Sequence, residues 1–301
     1  MRKAEMKDRI QSLKKEKKAV ILVHNYQVGD VQDIGDYIGD SLGLSQQAAR
    51  VKENLIVFCG VHFMAETAAI LAPEKTVLMP EIKAGCPMAD MITADELREW
   101  KRKYPGRKVV CYVNTSAAVK AECDVCCTSS NAVNVVNSIE GEEILFAPDK
   151  NLGAYVARHT PKKIISWDGY CYVHNFIHVK HVKTKKSLYP EAEVWVHPEC
   201  RPEVIDIADK VLSTGGMVKE ARTTAKKDII IGTETGIIYR LKKENPTKNF
   251  YPARDQSFCS NMKKTDLKKV LRSLEDRVYK VEVPPDISRR ARGAIEKMVA
   301  L

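Results

Sequence analysis

Three cysteines, Cys86, Cys171 and Cys259, each close the same succession of landmarks along the chain. A short apolar run leads to His24, Asn114 or His197. A hydroxyl follows at Ser41, Ser129 or Thr214. A second apolar run ends at Gly60, Pro148 or Thr233, and the cysteine comes last. From His24 the steps are 17, 19 and 26 residues, and from His197 they are again 17, 19 and 26. From Asn114 they are 15, 19 and 23. Three thiolates brought to one point match three corners of an iron–sulfur cubane, because soft sulfur donors suit such clusters. The fourth iron would then be open to water or substrate and act as a Lewis acid. A zinc ion on three cysteines and three unconnected thiols are the other readings of this pattern. Ferredoxin spacing and CxxxCxxC are both absent from the sequence, which argues against electron transfer and radical-SAM chemistry.

Around the thiols lie groups suited to anions and protons. Ser41, Ser129 and Thr214 open helical stretches and read as N-caps. Hydroxyls at helix N-termini bind carboxylate or phosphate, so the site is expected to take small polyanions. His24-Asn25-Tyr26 and His197-Pro198-Glu199 can move protons, and Tyr112-Val113-Asn114 supplies hydrogen-bond donors. His174, three residues after Cys171, can reach a ligand near the same point. Cys59, Cys111, Cys123, Cys126 and Cys127 stand where the sister copies carry small or apolar residues, so they are expected to be buried hydrophobes. That includes the CDVCC run at 123–127, which alone would suggest a metal site. Cys200 has no clear assignment. Nine scattered cysteines, an odd number, argue against a disulfide framework.

The elements that carry these residues alternate. Short β-rich runs such as AVILV, LIVFC and TVLMP are separated by segments of helical spacing such as SLGLSQQAARV. This alternation predicts an α/β fold, with three repeated doubly wound parallel α/β/α sandwich domains around a pseudo-threefold axis. The expected units are an N-terminal helix over 1–16 and repeats over 17–105, 106–190 and 191–270. A C-terminal strand (VYKVEV) and helix over 271–301 complete the fold. Sites in such sheets lie beyond the carboxyl ends of the strands, where all the landmarks fall. Three edges turned inward would pool their residues in one central site.

Composition narrows the setting. The 301 residues are 44% apolar and 29% charged, with 49 Lys+Arg against 39 Asp+Glu and a net charge of +10. No apolar run reaches the roughly 20 residues of a membrane span. The first residues show no apolar signal core, so a cytoplasmic protein is expected. The basic clusters at 14–18, 98–103 and 180–187 contain few aromatics and read as solvated faces. Anionic metabolites are therefore the expected partners, rather than membrane or nucleic acid.

The motifs HNYQ (24–27), GDSL (39–42), GCPMA (85–89), YVNTS (112–116), CTSSNAV (127–133), PDKNLG (148–153), YCYVH (170–174), HPEC (197–200), STGGM (213–217) and CSNMK (259–263) resemble, in order, those of the quinolinate synthase family. The resemblance runs from about residue 10 to the C-terminus. It implies three α/β domains around a [4Fe-4S] cluster with three cysteine ligands, here Cys86, Cys171 and Cys259, and an open fourth iron. It implies condensation of iminoaspartate with dihydroxyacetone phosphate to quinolinate, phosphate and two waters, in de novo NAD biosynthesis. An iminoaspartate-producing enzyme would be the functional partner. The substrate contacts implied are His24, Ser41, Tyr112, Asn114, Ser129, His197, Glu199 and Thr214. Tyr26 matches the family's catalytic tyrosine and Glu199 its acid/base glutamate. Two other classes fit part of the pattern. A [4Fe-4S] hydro-lyase of the aconitase type also uses an open iron. An iron–sulfur protein binding nucleic acid would show steep salt dependence.

Overall fold

The computed structural model describes residues 2–301. The strands are β1 (Ala19–His24), β2 (Tyr37–Gly39), β3 (Leu55–Cys59) and β4 (Thr76–Leu78); β5 (Lys108–Tyr112), β6 (Val125–Cys127), β7 (Glu143–Ala147) and β8 (Lys163–Ser166); and β9 (Glu193–Val196), β10 (Lys210–Val211), β11 (Asp228–Gly232) and β12 (Asn249–Pro252). They form three four-stranded sheets of one topology, ordered β2-β1-β3-β4, β6-β5-β7-β8 and β10-β9-β11-β12, and neighbouring strands within each are parallel. Helices cover the sheets, as the alternation of apolar runs predicts.

The unbroken apolar runs exist because each central strand is buried on both faces. In β1 and β3, Val20, Leu22, Ile56 and Phe58 point into one core, while Ile21, Val23, Leu55 and Val57 point into another. The first of these cores is shared with Val110, Tyr112, Ile144 and Phe146 of the second sheet. The C-terminal helix Pro285–Ala300 adds Ala291, Ala294, Ile295 and Met298 to it. The other face of the first sheet is sealed by the N-terminal helix Lys3–Glu16, through Met6, Ile10 and Leu13, and by the helix Leu267–Asp276.

One contact recurs in all three sheets. The main-chain N–H of Ile21, Val109 and Val194 donates to the carboxylate of Asp36, Asp124 and Asp209, at 2.8, 2.8 and 2.7 Å. The aspartate ahead of each second strand is thus a clamp that sets its start against the first strand.

Two expectations are corrected. The VYKVEV segment forms no regular strand. Tyr279 exchanges main-chain bonds with Met79, and Val281 donates to the Val77 carbonyl, so the segment lies antiparallel along the β4 edge as a short bridge. A left-handed Arg277 before it and Pro284-Pro285 after it leave no length for more. Cys111 and Cys123, expected as independent buried hydrophobes, are joined in a disulfide with their Cα atoms 6.1 Å apart, within reach of such a bond. The other four cysteines outside the repeated position, Cys59, Cys126, Cys127 and Cys200, are free, buried thiols. The Cys200 thiol donates to the Gly232 carbonyl at 3.3 Å, behind β9 and β11. Among the described residues no helix is long and apolar enough to cross a membrane.

Candidate active site

The carboxyl ends of the three sheets open into one cavity, the place where parallel sheets carry their sites. Cys86, Cys171 and Cys259, one per sheet, all face it as free thiols. So do His24, Tyr26 and Ser41 from the first repeat and Tyr112, Asn114, Ser129 and His174 from the second. His197, Glu199 and Thr214 join them from the third. Of the residues singled out in the sequence, Val113 and Pro198 do not line the cavity. Both are buried, Val113 within the core shared by the first two sheets.

Helix starts bring the hydroxyls inward, though not as caps. The helix Ser41–Arg50 is capped by Asp40, which accepts from the Gly43 N–H at 2.8 Å. The helix Thr214–Thr223 is capped by Ser213, which accepts from the Gly216 N–H at 3.1 Å. The residue with extended backbone takes the cap, which leaves Ser41 and Thr214 one position further on. Ser129 lies in the turn before the helix Ala132–Ser138. The three cap regions meet: the Ser130 hydroxyl is 2.8 Å from both Asp40 Oδ2 and Ser213 Oγ. Gly215 makes this possible, since a Cβ there would collide with the Asp40 carboxylate.

The two equivalent histidines are oriented alike. The Tyr26 N–H donates to His24 Nδ1 at 3.1 Å, and the Glu199 N–H to His197 Nδ1 at 3.3 Å. Nδ1 being the acceptor assigns the proton of each neutral ring to Nε2. Burial lowers His24 to about 4 and His197 to about 3, so both are neutral near pH 7. Each neutral ring therefore presents an N–H at Nε2. His197 Nε2 is 3.1 Å from Ser129 Oγ.

Glu199 is the charged centre. His174 Nδ1 lies 2.8 Å from its Oε2, and the Tyr112 hydroxyl donates to Oε1. Burial pushes the Glu199 carboxyl up, but His174, His197 and the hydrogen bonds outweigh it and hold the group well below the usual carboxylate range. Burial, with the Glu199 charge behind it, raises Tyr26 and Tyr112 well above an ordinary tyrosine, so both keep their protons. Tyr26 Oη is 2.6 Å from Thr233 Oγ1, which in turn is 2.8 Å from His174 Nε2. Thr233 was legible only as a spacing landmark; nothing in the sequence marked it as the link between Tyr26 and His174. Asn114 lines the cavity, and its Oδ1 is buried without a hydrogen-bond partner.

The donor set suits a soft metal group. Three thiols from three sheets share one wall with apolar Val61, Phe63, Met64, Met88 and Met262, and no fourth cysteine lines it among the described residues. Burial raises the Cys86 thiol to about 12 and also raises Cys171, so metal must displace their protons. The ligand atoms of Cys171, His174 and Glu199 also lie within 4.8 Å of one another, an arrangement open to a single cation. The apolar wall gave no signal in the sequence, because such residues look like any other core.

Comparison with known proteins gives a consistent result. The family model described as Quinolinate synthetase A protein matches residues 8–300. A protein of Dehalococcoides mccartyi named quinolinate synthase is 58% identical over 291 residues, covering 97% of this chain and 96% of that one. Quinolinate synthase 2 of Methanosarcina acetivorans is 52% identical over 294 residues, covering 98% and 95%. The quinolinate synthase of Thermodesulfovibrio yellowstonii is 52% identical over 295 residues, covering 98% and 97%.

Proposed function

The chain belongs to the Quinolinate synthetase A family and is an enzyme, and we propose that it condenses iminoaspartate with dihydroxyacetone phosphate to quinolinate, phosphate and two waters. Its place is de novo NAD biosynthesis, in the cytoplasm, downstream of an enzyme that supplies iminoaspartate. The observation that carries this reading is one free thiol from each of three sheets facing a single cavity beside polar groups suited to a dicarboxylate. The aconitase-type alternative finds no support in the family match or in the relatives' names.

A [4Fe-4S] cluster on Cys86, Cys171 and Cys259 would supply a Lewis-acid iron with one position open to substrate. The protein's own groups do the rest. The hydroxyls of Ser41, Ser129 and Thr214, at or beside helix N-termini, hold the substrate's carboxylates. His24 and His197 donate through Nε2 without bringing positive charge. Asn114 Oδ1 accepts from the imine or amine nitrogen, which orients it toward the triose carbonyl. Glu199, an anion at neutral pH, accepts a proton as carbon–carbon bond formation proceeds. Tyr26 returns one from Oη as hydroxide departs, relayed through Thr233 and His174.

A single cation on Cys171, His174 and Glu199 is the second reading, favoured by the closeness of those ligand atoms. Anaerobic reconstitution followed by iron, zinc and sulfide analysis separates the two. Iron with equimolar sulfide, and quinolinate formed from dihydroxyacetone phosphate and iminoaspartate made in situ from oxaloacetate and ammonium, is the expected outcome. Metal without sulfide, or no quinolinate from a loaded protein, would overturn it.

A further inference from the structure

Asp149 follows β7 and Glu234 follows β11, and both are fully buried. The two positions are equivalent, each one residue past its landmark, Pro148 or Thr233. Each carboxylate accepts from two main-chain N–H groups. Asp149 Oδ1 accepts from Leu152 at 2.7 Å and Oδ2 from Cys171 at 2.9 Å. Glu234 Oε2 accepts from Gly236 at 2.7 Å and Oε1 from Cys259 at 3.0 Å. Beneath two of the three cysteine loops, then, a buried acid holds the N–H of the cysteine itself. In the first repeat the same place is Val61. There no buried acid holds the loop: the His62 N–H donates to the Ala84 carbonyl at 2.9 Å, and Lys264 Nζ donates to the Lys83 carbonyl at 2.8 Å.

Helix capping does not account for this. Capping the helix that starts at Lys150 occupies only one oxygen of Asp149, and Glu234 is not the cap of its helix. A buried carboxylate is costly unless donors satisfy it. At two equivalent places the second oxygen accepts from the N–H of a residue 22 or 25 positions further on, and in both cases that residue is the cysteine; Glu234 Oε1 also pairs with Lys263 Nζ at 2.8 Å. With its N–H fixed, each cysteine keeps little freedom beyond χ1 to aim its sulfur.

Resting on the cluster reading above, we propose that Asp149 and Glu234 are positioning residues, which fix the Cys171 and Cys259 peptides so that both sulfurs face the shared cavity.

The test uses the full chain in two forms. In cluster-free protein, iodoacetamide alkylation of each cysteine is followed by peptide mass spectrometry. Asp149→Ala should raise the rate at Cys171 by about tenfold, the equivalent of one lost charge-assisted hydrogen bond. Cys86 and Cys259 should be unchanged. Asp149→Asn, which keeps one acceptor and nearly the same size, should give a smaller rise at the same cysteine and serves if the alanine variant does not fold. Glu234→Gln should mirror the pattern at Cys259. In loaded protein, iron release to a chelator should quicken by about tenfold or more in each variant. All three cysteines rising together, or none rising, would overturn the proposal. A residue-specific pattern in a protein that binds no cluster would uphold the positioning and overturn the cluster reading instead.

Discussion

His174 Nδ1 lies 2.8 Å from Glu199 Oε2, although the two residues come from different sheets. His174 stands three residues after Cys171 and Glu199 two after His197, so one buried pair ties a cysteine loop of the second repeat to a histidine loop of the third. The His174 and His197 rings also stack, 4.6 Å apart at 25°.

Replacing the acceptor should silence the chemistry without dismantling the site. Glu199→Gln keeps the shape but cannot take a proton. Quinolinate formation should fall by about 10²- to 10⁴-fold, with iron and sulfide content retained. Near-native turnover in that variant would remove Glu199 from the proton path.

Acid should destabilise the fold earlier than its carboxylates alone would require. His24 and His197 have folded values of about 4 and about 3, below the roughly 6.5 of an unfolded histidine. Between those limits the unfolded chain binds more protons, so stability is full above about pH 6.5 and falls as pH drops. Glu199, also depressed, adds its loss only below about pH 4.5. Urea midpoints of cluster-free protein should therefore decline already between about pH 6.5 and 5, and His24→Gln should flatten that slope. A flat profile over that interval would contradict the buried neutral assignment.

The thiols sort by position. Serine at Cys86, Cys171 or Cys259 should abolish iron and sulfide retention, each on its own. Cys126→Ser should keep both, because that thiol is buried in the core between the first two sheets. Retention by any of the first three would break the ligand assignment.

Ser130 joins Asp40 and Ser213 where the three cap regions meet. Ser130→Ala loses both bonds and should raise KM about fivefold, the value of roughly 1 kcal/mol, while kcat stays near that of the parent. A fall confined to kcat would mean the contact serves the chemical step instead.

The Cys111–Cys123 bond closes a separation of 12 residues. Reduction, or Cys123→Ala, should cost about 3 kcal/mol of stability on the loop-entropy scale, read as a lower denaturation midpoint. Identical midpoints with and without reductant would show that the bond adds nothing.

What the sequence revealed was whatever all three copies share. The strands, the histidine and hydroxyl positions and the repeated cysteine are marked by spacing, because each copy must deliver them to the same edge. Where the copies differ, the sequence carries no such mark. Asp149 and Glu234 align with Val61, so residue types shared by all three could not pick them out. Cys111 and Cys123 were judged by their apolar counterparts, Ile21 and Gly35, and that comparison carries no information on whether two thiols meet across a strand and the turn beyond it. The caps of the first and third repeats fall one residue before Ser41 and Thr214, because Asp40 and Ser213 are as good cap formers as their neighbours and only backbone direction decides; in the second the N-cap is Asn131, two residues after Ser129.

The place held by Val61, Asp149 and Glu234 bears on why such a site is made from one chain. A ring of three identical subunits would repeat every side chain about its axis, so an acid in one would be an acid in all. Its pocket would then be as symmetric as the ring, a poor match for two dissimilar reactants that must meet in one orientation. Fusion into a single polypeptide lets each third drift alone. Histidine can become asparagine at one corner and valine can become acid at another, while each third still turns one cysteine to the shared cavity.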